Sequence, residues 1–290
     1  MQLSKKNISR ISILIAACLM GSVGLFVDLL SQFNEVSISF FRSIIGFIFL
    51  TIFLLAKKEI KNVKLLVKKP KWLILLGTTN AFCILFYFFA INLTNFAEAA
   101  FLLYSGNVFA IIFFKLLLHE EVRKINVVSF ILATVGLLFI SEFQINNLNF
   151  GLLFGLLSGI LLGLNITSIK KFMQDDEVEN FSVSWWAILF ASSIFVIPSV
   201  PQFILINYIN IFIIIGLGLI PTAIAFSLYN KGIKEDDSGD ILILAYAEPL
   251  VATLLTIFYQ NIIISLYVLI GGILILLGNL IVLLSKRTGT

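Results

Sequence analysis

The sequence predicts an all-α polytopic membrane protein with ten transmembrane helices, arranged as two inverted five-helix repeats. Three observations carry that expectation. Of 290 residues, 60% are hydrophobic and only 12% charged, with 29 Phe and a single His; a soluble domain carries about 25% charged residues. The charges cluster between apolar runs of about 20 residues, the length that crosses roughly 30 Å of hydrocarbon as a helix. The chain also matches itself at an offset of 142 residues. Composition excludes a disordered chain, a nucleic-acid-binding module and an ordinary soluble enzyme. The partners expected are the lipid bilayer and a small-molecule substrate, with no nucleic acid.

Reading from one charge cluster to the next places spans at about 11–30, 36–56, 72–92, 96–116, 125–142, 150–170, 182–201, 210–230, 239–259 and 264–285. Two uncharged stretches each hold two spans. Between Glu179 and Lys231 the Ile-Pro-Ser-Val-Pro turn at 197–201 divides the run; between Glu248 and Lys286 the division is Tyr259-Gln260-Asn261. Eight or nine spans are the alternative counts. The first apolar segment is longer than a secretory h-region and lacks a small-x-small cleavage site, so the first helix is expected to stay. Cys18 and Cys83 fall in separate spans, which gives no expectation of a disulfide or a zinc site.

Alternating the loops puts 19 of the 20 basic residues on the N-terminal side: Lys5, Lys6 and Arg10, seven lysines from Lys57 to Lys71, then Lys115, Arg123, Lys124, Lys170, Lys171, Lys231, Lys234, Lys286 and Arg287. By the positive-inside rule that side is cytoplasmic, with both termini inside a multi-pass protein of the cell membrane. One missed or invented span would scramble the alternation, so the asymmetry also supports the count of ten.

At the 142-residue offset Tyr87 meets Tyr229, Tyr104 meets Tyr246, Gly21 meets Gly163, Gly136 meets Gly278, Ala81 meets Ala223 and Ala110 meets Ala252. Such a repeat holds five helices, an odd number, so the second copy enters the membrane in the opposite orientation. The expected units are residues 1–145 and 146–290. Their charges agree: basic loops follow the second and fourth helices of the first copy, but the first and third of the second.

Several segments resemble the EamA-type transporters of the drug/metabolite transporter superfamily. They are Phe40-Phe41-Arg42, the stretch Ala99 to Glu121 ending in His119-Glu120-Glu121-Val122-Arg123, Ala245-Tyr246-Ala247-Glu248-Pro249, and Gly271-Gly272 with Gly278. The resemblance covers essentially the whole chain. It implies secondary transport of small metabolites, often export of amino acids or related compounds, through a central cavity between the repeats. The chain departs from the pattern at Gly106-Asn107, where the offset sets Asn107 opposite Pro249; that gives no ground for expecting symmetric helix breaks. Gln260-Asn261 also stands where an acidic turn would close the ninth helix.

Polar residues at depth are the candidate site. Glu248 lies near the middle of its span, where an acidic side chain costs about 2.5–3.5 kcal/mol on insertion scales, and Pro249 removes a backbone donor beside it. It is read as a substrate-ammonium or proton-binding group, or alternatively as a protonated carboxyl bonding a neighbouring helix. Arg42, the one basic residue off the basic face, is expected to snorkel outward, to pair with Asp28 or Glu98, or to bind a substrate carboxylate. Tyr104 and Tyr246 occupy equivalent repeat positions beside Asn107 and Glu248, placed to flank a substrate or to make cation–π contact with an ammonium. Asn80 and Tyr87 complete the set. Trp185 and Trp186 read as an interfacial belt. Gly151, Gly155, Gly159 and Gly163 form a stripe on which another helix can approach closely.

No catalytic constellation is legible, no cofactor is expected, and the chain is read as not an enzyme. His119 belongs to His-Glu-Glu, not to a zinc helix, and no phosphate-binding Gly-rich loop ending in Lys-Ser/Thr is present. Asp237-Ser238-Gly239-Asp240 and the acidic run 175–179 read as solvated turns. The expectation is therefore an alternating-access exporter of small polar metabolites, amino acids or related amines, with possible proton coupling through Glu248. A quaternary-ammonium or drug exporter is the alternative within transport; a membrane-embedded enzyme or a non-transporting receptor is the alternative outside it.

Overall fold

A computed structural model describes residues 5–121, 124–140, 149–175, 177–235 and 244–285. The expected repeat junction at 145/146, the turn residues Val122 and Arg123, Asp176, the 237–240 turn, and Lys286 and Arg287 lie outside the described residues. So do the side chains of Lys5, Lys6, Asn230 and Lys234.

Every regular element among the described residues is helical. The α-helices are α1 (Lys5–Gly21), α2 (Val23–Leu29), α3 (Glu35–Ala56), α4 (Pro70–Leu93), α5 (Phe96–Tyr104), α6 (Gly106–Leu118) and α7 (Lys124–Ile140). They continue with α8 (Phe150–Met173), α9 (Asn180–Ser199), α10 (Tyr208–Gly218), α11 (Ala225–Glu235), α12 (Ala247–Phe258) and α13 (Leu266–Ser285). Among the described residues, seven segments are long and apolar enough to cross a membrane: Ile8–Leu29, Glu35–Ala56, Pro70–Leu93, Phe96–Leu118, Phe150–Met173, Asn180–Leu205 and Tyr208–Tyr229. Three shorter apolar helices accompany them, Lys124–Ile140, Leu244–Phe258 and Leu266–Ile281. The ninth expected span begins within 236–243, outside the described residues.

Asparagine starts four of the helices. Asn34 accepts from the Ser37 amide at 2.8 Å, Asn95 from Glu98 at 2.9 Å, Asn149 from Gly151 at 2.9 Å and Asn207 from Ile209 at 3.0 Å. A neutral side-chain oxygen thus satisfies an orphan amide donor at each start without adding a charge. These four starts share one face of the bundle. Gln202 accepts from the Asn34 amide at 2.8 Å, Gln260 lies against the Phe96 amide at 3.4 Å, and a Cβ on Gly151 would strike Thr94. The lysine-bearing loops gather at the other face, where Lys69 pairs with Asp175 at 3.7 Å and Lys170 with Glu120.

Packing follows the small residues. α4 packs on α8, α1 on α11 and α12, α3 on α9 and α10, α4 also on α9, and α7 on α13. The glycine stripe of α8 meets α5 and α6 where those two helices break. A Cβ on Gly159 would lie 2.5 Å from the Ser105 hydroxyl and 2.6 Å from the Leu102 carbonyl, so only glycine permits this approach. In the second half a short 3-10 turn at 244–246 gives way to α12, and the residues before that turn lie outside the described ones.

Candidate functional site: a cavity between the halves

All seven residues singled out in the sequence line one cavity of about 680 Å³: Arg42, Asn80, Tyr87, Tyr104, Asn107, Tyr246 and Glu248. α3 supplies Arg42, α4 supplies Asn80 and Tyr87, α5 and α6 supply Tyr104 and Asn107, and α12 with the turn before it supplies Tyr246 and Glu248. The volume suits a metabolite or drug-sized ligand. The cavity extends to the helix ends at Glu120, Glu121, Lys170 and Asn180, so it reaches the face that carries the lysine loops.

Arg42 does not snorkel and pairs with neither expected acid. It is 8% exposed, and its Nε donates to the Thr222 hydroxyl at 3.0 Å, with the Phe88 ring 5.7 Å away. Asp28 instead accepts from the Tyr259 hydroxyl at 3.0 Å, and Glu98 is held by Asn95 at 2.7 Å. The reason is local backbone geometry. Residues Leu219–Ile224, containing Pro221, form a π-helical turn between α10 and α11, and Thr222 there donates to the Leu217 carbonyl five residues back. Pro221 lacks the amide that would continue a regular ladder, and such turns re-aim side chains. Thr222 is thereby turned toward α3. The two terminal amino groups of Arg42 have no hydrogen-bond partner among the described residues, leaving a planar cationic fork suited to a carboxylate.

Glu248 lies across the same cavity and makes no ion pair with Arg42. The Tyr104 hydroxyl is 2.9 Å from Glu248 Oε2 and 2.9 Å from the Ala245 carbonyl. A phenol has one proton to donate. Both contacts are hydrogen bonds only when Glu248 is protonated, donating to Tyr104 while Tyr104 donates to Ala245. When Glu248 is ionised, the two acceptors compete for one donor. Tyr104 is held from behind by Asn279, whose amide donates to the Tyr104 carbonyl at 3.0 Å, and its ring meets Tyr246 edge-on at 5.9 Å.

Asn80 donates to the Ala187 carbonyl at 3.1 Å and so ties α4 to α9 while lining the cavity. Its repeat counterpart is Thr222, which joins the π-helical turn to α3; the two play the same bridging part in the two halves. Asn165 serves packing, donating to the Leu76 carbonyl at 3.0 Å. Trp185 and Trp186 are more than a belt: their indole N–H groups donate to the Thr51 hydroxyl at 2.9 Å and the Val63 carbonyl at 2.7 Å. The sequence reading left out Thr222 and Asn279. Both are polar residues inside apolar runs, beside Pro221 and Gly278, and that combination was the available signal.

The model of the EamA-like transporter family matches this chain twice, at residues 8–142 and 149–284. A protein of Archaeoglobus fulgidus described as an uncharacterized transporter is 30% identical over 273 residues, covering 93% of this chain and 94% of its own. A crystallised protein with 18% identity superposes over 97% of this chain and 99% of its own at a TM-score of 0.62, a likeness of fold alone. Two matches to one family model, one in each half around a shared cavity, leave a single assignment: the chain belongs to the EamA-like transporter family, membrane transporters of the drug/metabolite transporter superfamily.

Proposed function

We propose that the protein is a secondary transporter, working as an exporter, that moves small polar metabolites, amino acids or related amines, across the cell membrane by alternating access. The observation that carries this reading is an Arg42 fork without a partner among the described residues and a Glu248 carboxyl, lining one cavity with no ion pair between them. A zwitterion offers a carboxylate to the first and an ammonium to the second. Tyr104, Tyr246, Tyr87, Asn80 and Asn107 complete the binding surface. Glu248 also serves as the proton-coupling group, since its Tyr104–Ala245 arrangement is fully satisfied only in the protonated form.

Ten membrane crossings in two inverted five-helix repeats, 1–145 and 146–290, make the exchange of conformations possible. Packing supports this. Replacing each helix by its counterpart 142 residues on turns the α4–α8 pair into α11–α1 and the α4–α9 pair into α10–α3, while α3–α9 and α7–α13 map onto themselves. Rocking one half against the other closes the cavity at the lysine face, taken as cytoplasmic with both termini, and opens it at the asparagine-capped face.

A quaternary-ammonium exporter is the second reading. It is favoured by four tyrosines in the lining, Tyr87, Tyr104, Tyr229 and Tyr246; Arg42 in the same lining weighs against it. A thermal-shift panel of amino acids, amines, quaternary ammonium compounds, sugars and nucleotides on the detergent-solubilised protein separates the two. Stabilisation by zwitterionic amino acids, absent for their decarboxylated amines, is expected. Stabilisation by quaternary ammonium compounds alone overturns the amino-acid reading.

A further inference from the structure

The connection between α3 and α4 carries chemistry that transport itself does not use. Seven lysines lie within 57–71, and six of them, Lys57, Lys58, Lys61, Lys64, Lys68 and Lys71, are exposed. None of those six forms an ion pair among the described residues; Lys69 alone pairs, with Asp175 at 3.7 Å. Glu59 is the single acid in the stretch.

Residues Ile60–Lys68 form a 3-10 helix, in which side chains three apart stand in rows. The rows divide by chemistry. Val63 and Leu66 are buried at 8% and 0% exposure against the protein, whereas Lys61, Lys64 and Val67 share an outward row, with Val67 51% exposed. Lys58, in the left-handed turn that precedes the helix, is exposed as well. An apolar residue exposed beside a line of unpaired ammonium groups, on a segment joining two membrane-spanning helices, matches the boundary between acyl chains and headgroups.

We propose that residues 57–71 form a binding surface for anionic phospholipid headgroups, with Lys58, Lys61 and Lys64 on phosphates and Val67 at the acyl boundary. Charge complementarity selects anionic over zwitterionic lipid, and several lysines beside a membrane helix supply additive attraction. The surface is rigidly mounted. The Trp186 indole donates to the Val63 carbonyl at 2.7 Å, and Trp186 sits on α9, which also lines the cavity with Val183, Ser184, Ala187 and Ile188. Anionic lipid held by this segment therefore braces α9 at the cavity mouth. This inference needs only the membrane location and stands apart from the substrate assignment.

The chain's three tryptophans, Trp72, Trp185 and Trp186, are native reporters close to this surface. The full-length protein is reconstituted in phosphatidylcholine containing equal fractions of either brominated phosphatidylglycerol or brominated phosphatidylcholine, and tryptophan quenching is read. The proposal expects excess quenching by the glycerol lipid that fades as sodium chloride is raised. The excess is expected to fall to parity in a Lys58→Gln/Lys61→Gln/Lys64→Gln variant and to persist in Lys231→Gln. Equal quenching by the two lipids in the wild-type protein overturns it, and so does an excess that the triple variant retains. Loss of the excess in sodium phosphate but not in sodium chloride of equal ionic strength assigns the surface to free phosphate and also overturns it. The salt series on the wild-type protein stands even where the variant fails to fold.

Discussion

The two ends of the bundle differ in how their helices begin: α4 and α9 start at the lysine face without a side-chain cap, whereas asparagine caps the starts at the other. At one face, helices begin on Asn34, Asn95, Asn149 and Asn207, and the loops 30–34, 93–95, 200–207 and 259–265 hold no basic residue. These loops are stitched across the two halves: Asn34 to Gln202, Asp28 to Tyr259, and the Ala97 amide to Thr256 at 3.0 Å. Aromatic rings fill the space beneath, with Phe40 stacked on Phe203 at 5.7 Å and Phe96 on Tyr259 at 6.2 Å. The other face is strung with lysines, and the cavity reaches it. The halves meet there as well, through Lys69 with Asp175, the Trp186 indole with the Val63 carbonyl, and Lys170 with Glu120, its ammonium 4.1 Å over the Phe114 ring. Neutral caps and packed rings close the first end, while the cavity lining runs out to Glu120, Glu121, Lys170 and Asn180 at the second.

The largest expected effect breaks this comparison outright if it fails. With Cys18 and Cys83 replaced by Ser, Ser184→Cys at the cavity mouth is expected to react with a water-soluble maleimide more than an order of magnitude faster than Phe40→Cys beneath the seal. Thiol reactivity follows access. Comparable rates at both positions contradict the assignment of open and sealed ends.

Next in size is Thr222→Val, which removes the one hydrogen-bond partner of Arg42 among the described residues. Leaving a buried charged donor unsatisfied costs about 1.5–3 kcal/mol, read as a lower melting temperature. Binding of carboxylate-bearing ligands is expected to weaken more than binding of simple amines, which isothermal calorimetry on the two ligand types measures. Equal losses place Thr222 in packing rather than in positioning Arg42.

A smaller shift is expected from Tyr259→Phe. Its hydroxyl bond to Asp28 is exposed, so its removal costs about 0.5–1 kcal/mol, a two- to fivefold change in the balance between sealed and open states. Maleimide labelling of Phe40→Cys in that background measures it. The smallest is Lys170→Gln. Both partners of its ion pair are about one-third exposed at the side chain, 37% each, so at most about 1 kcal/mol of stability is at stake, and the melting temperature is expected to move by a degree or two.

The candidate residues were legible because polar side chains in an apolar chain have few places to go. Facing a cavity satisfies Glu248, Asn107 and Tyr104 alike, whatever the helix rotations. Their neighbours were not legible for the converse reason. Depth along a span says nothing about rotation, so Asp28 and Glu98 looked like partners for Arg42 on height alone. The π-helical turn at 219–224 then swung Thr222 into that place. The helix break at Ser105 was not legible either, since neither Ser105 nor the Gly106-Asn107 pair after it carries a helix-breaking proline. Trp185 and Trp186 followed composition statistics in the sequence, but their indole donors found protein acceptors.

The central claim is that Glu248 and Arg42 handle a small solute in this cavity and that Glu248 couples its movement to protons. The most direct measurement is flux of a labelled amino acid in proteoliposomes under imposed pH gradients, with wild-type protein, Glu248→Gln and Arg42→Gln. The wild-type flux is expected to follow the proton gradient. Glu248→Gln is expected to lose the pH response, and Arg42→Gln to lose amino-acid flux. Flux that is unchanged by Glu248→Gln at every pH contradicts the account.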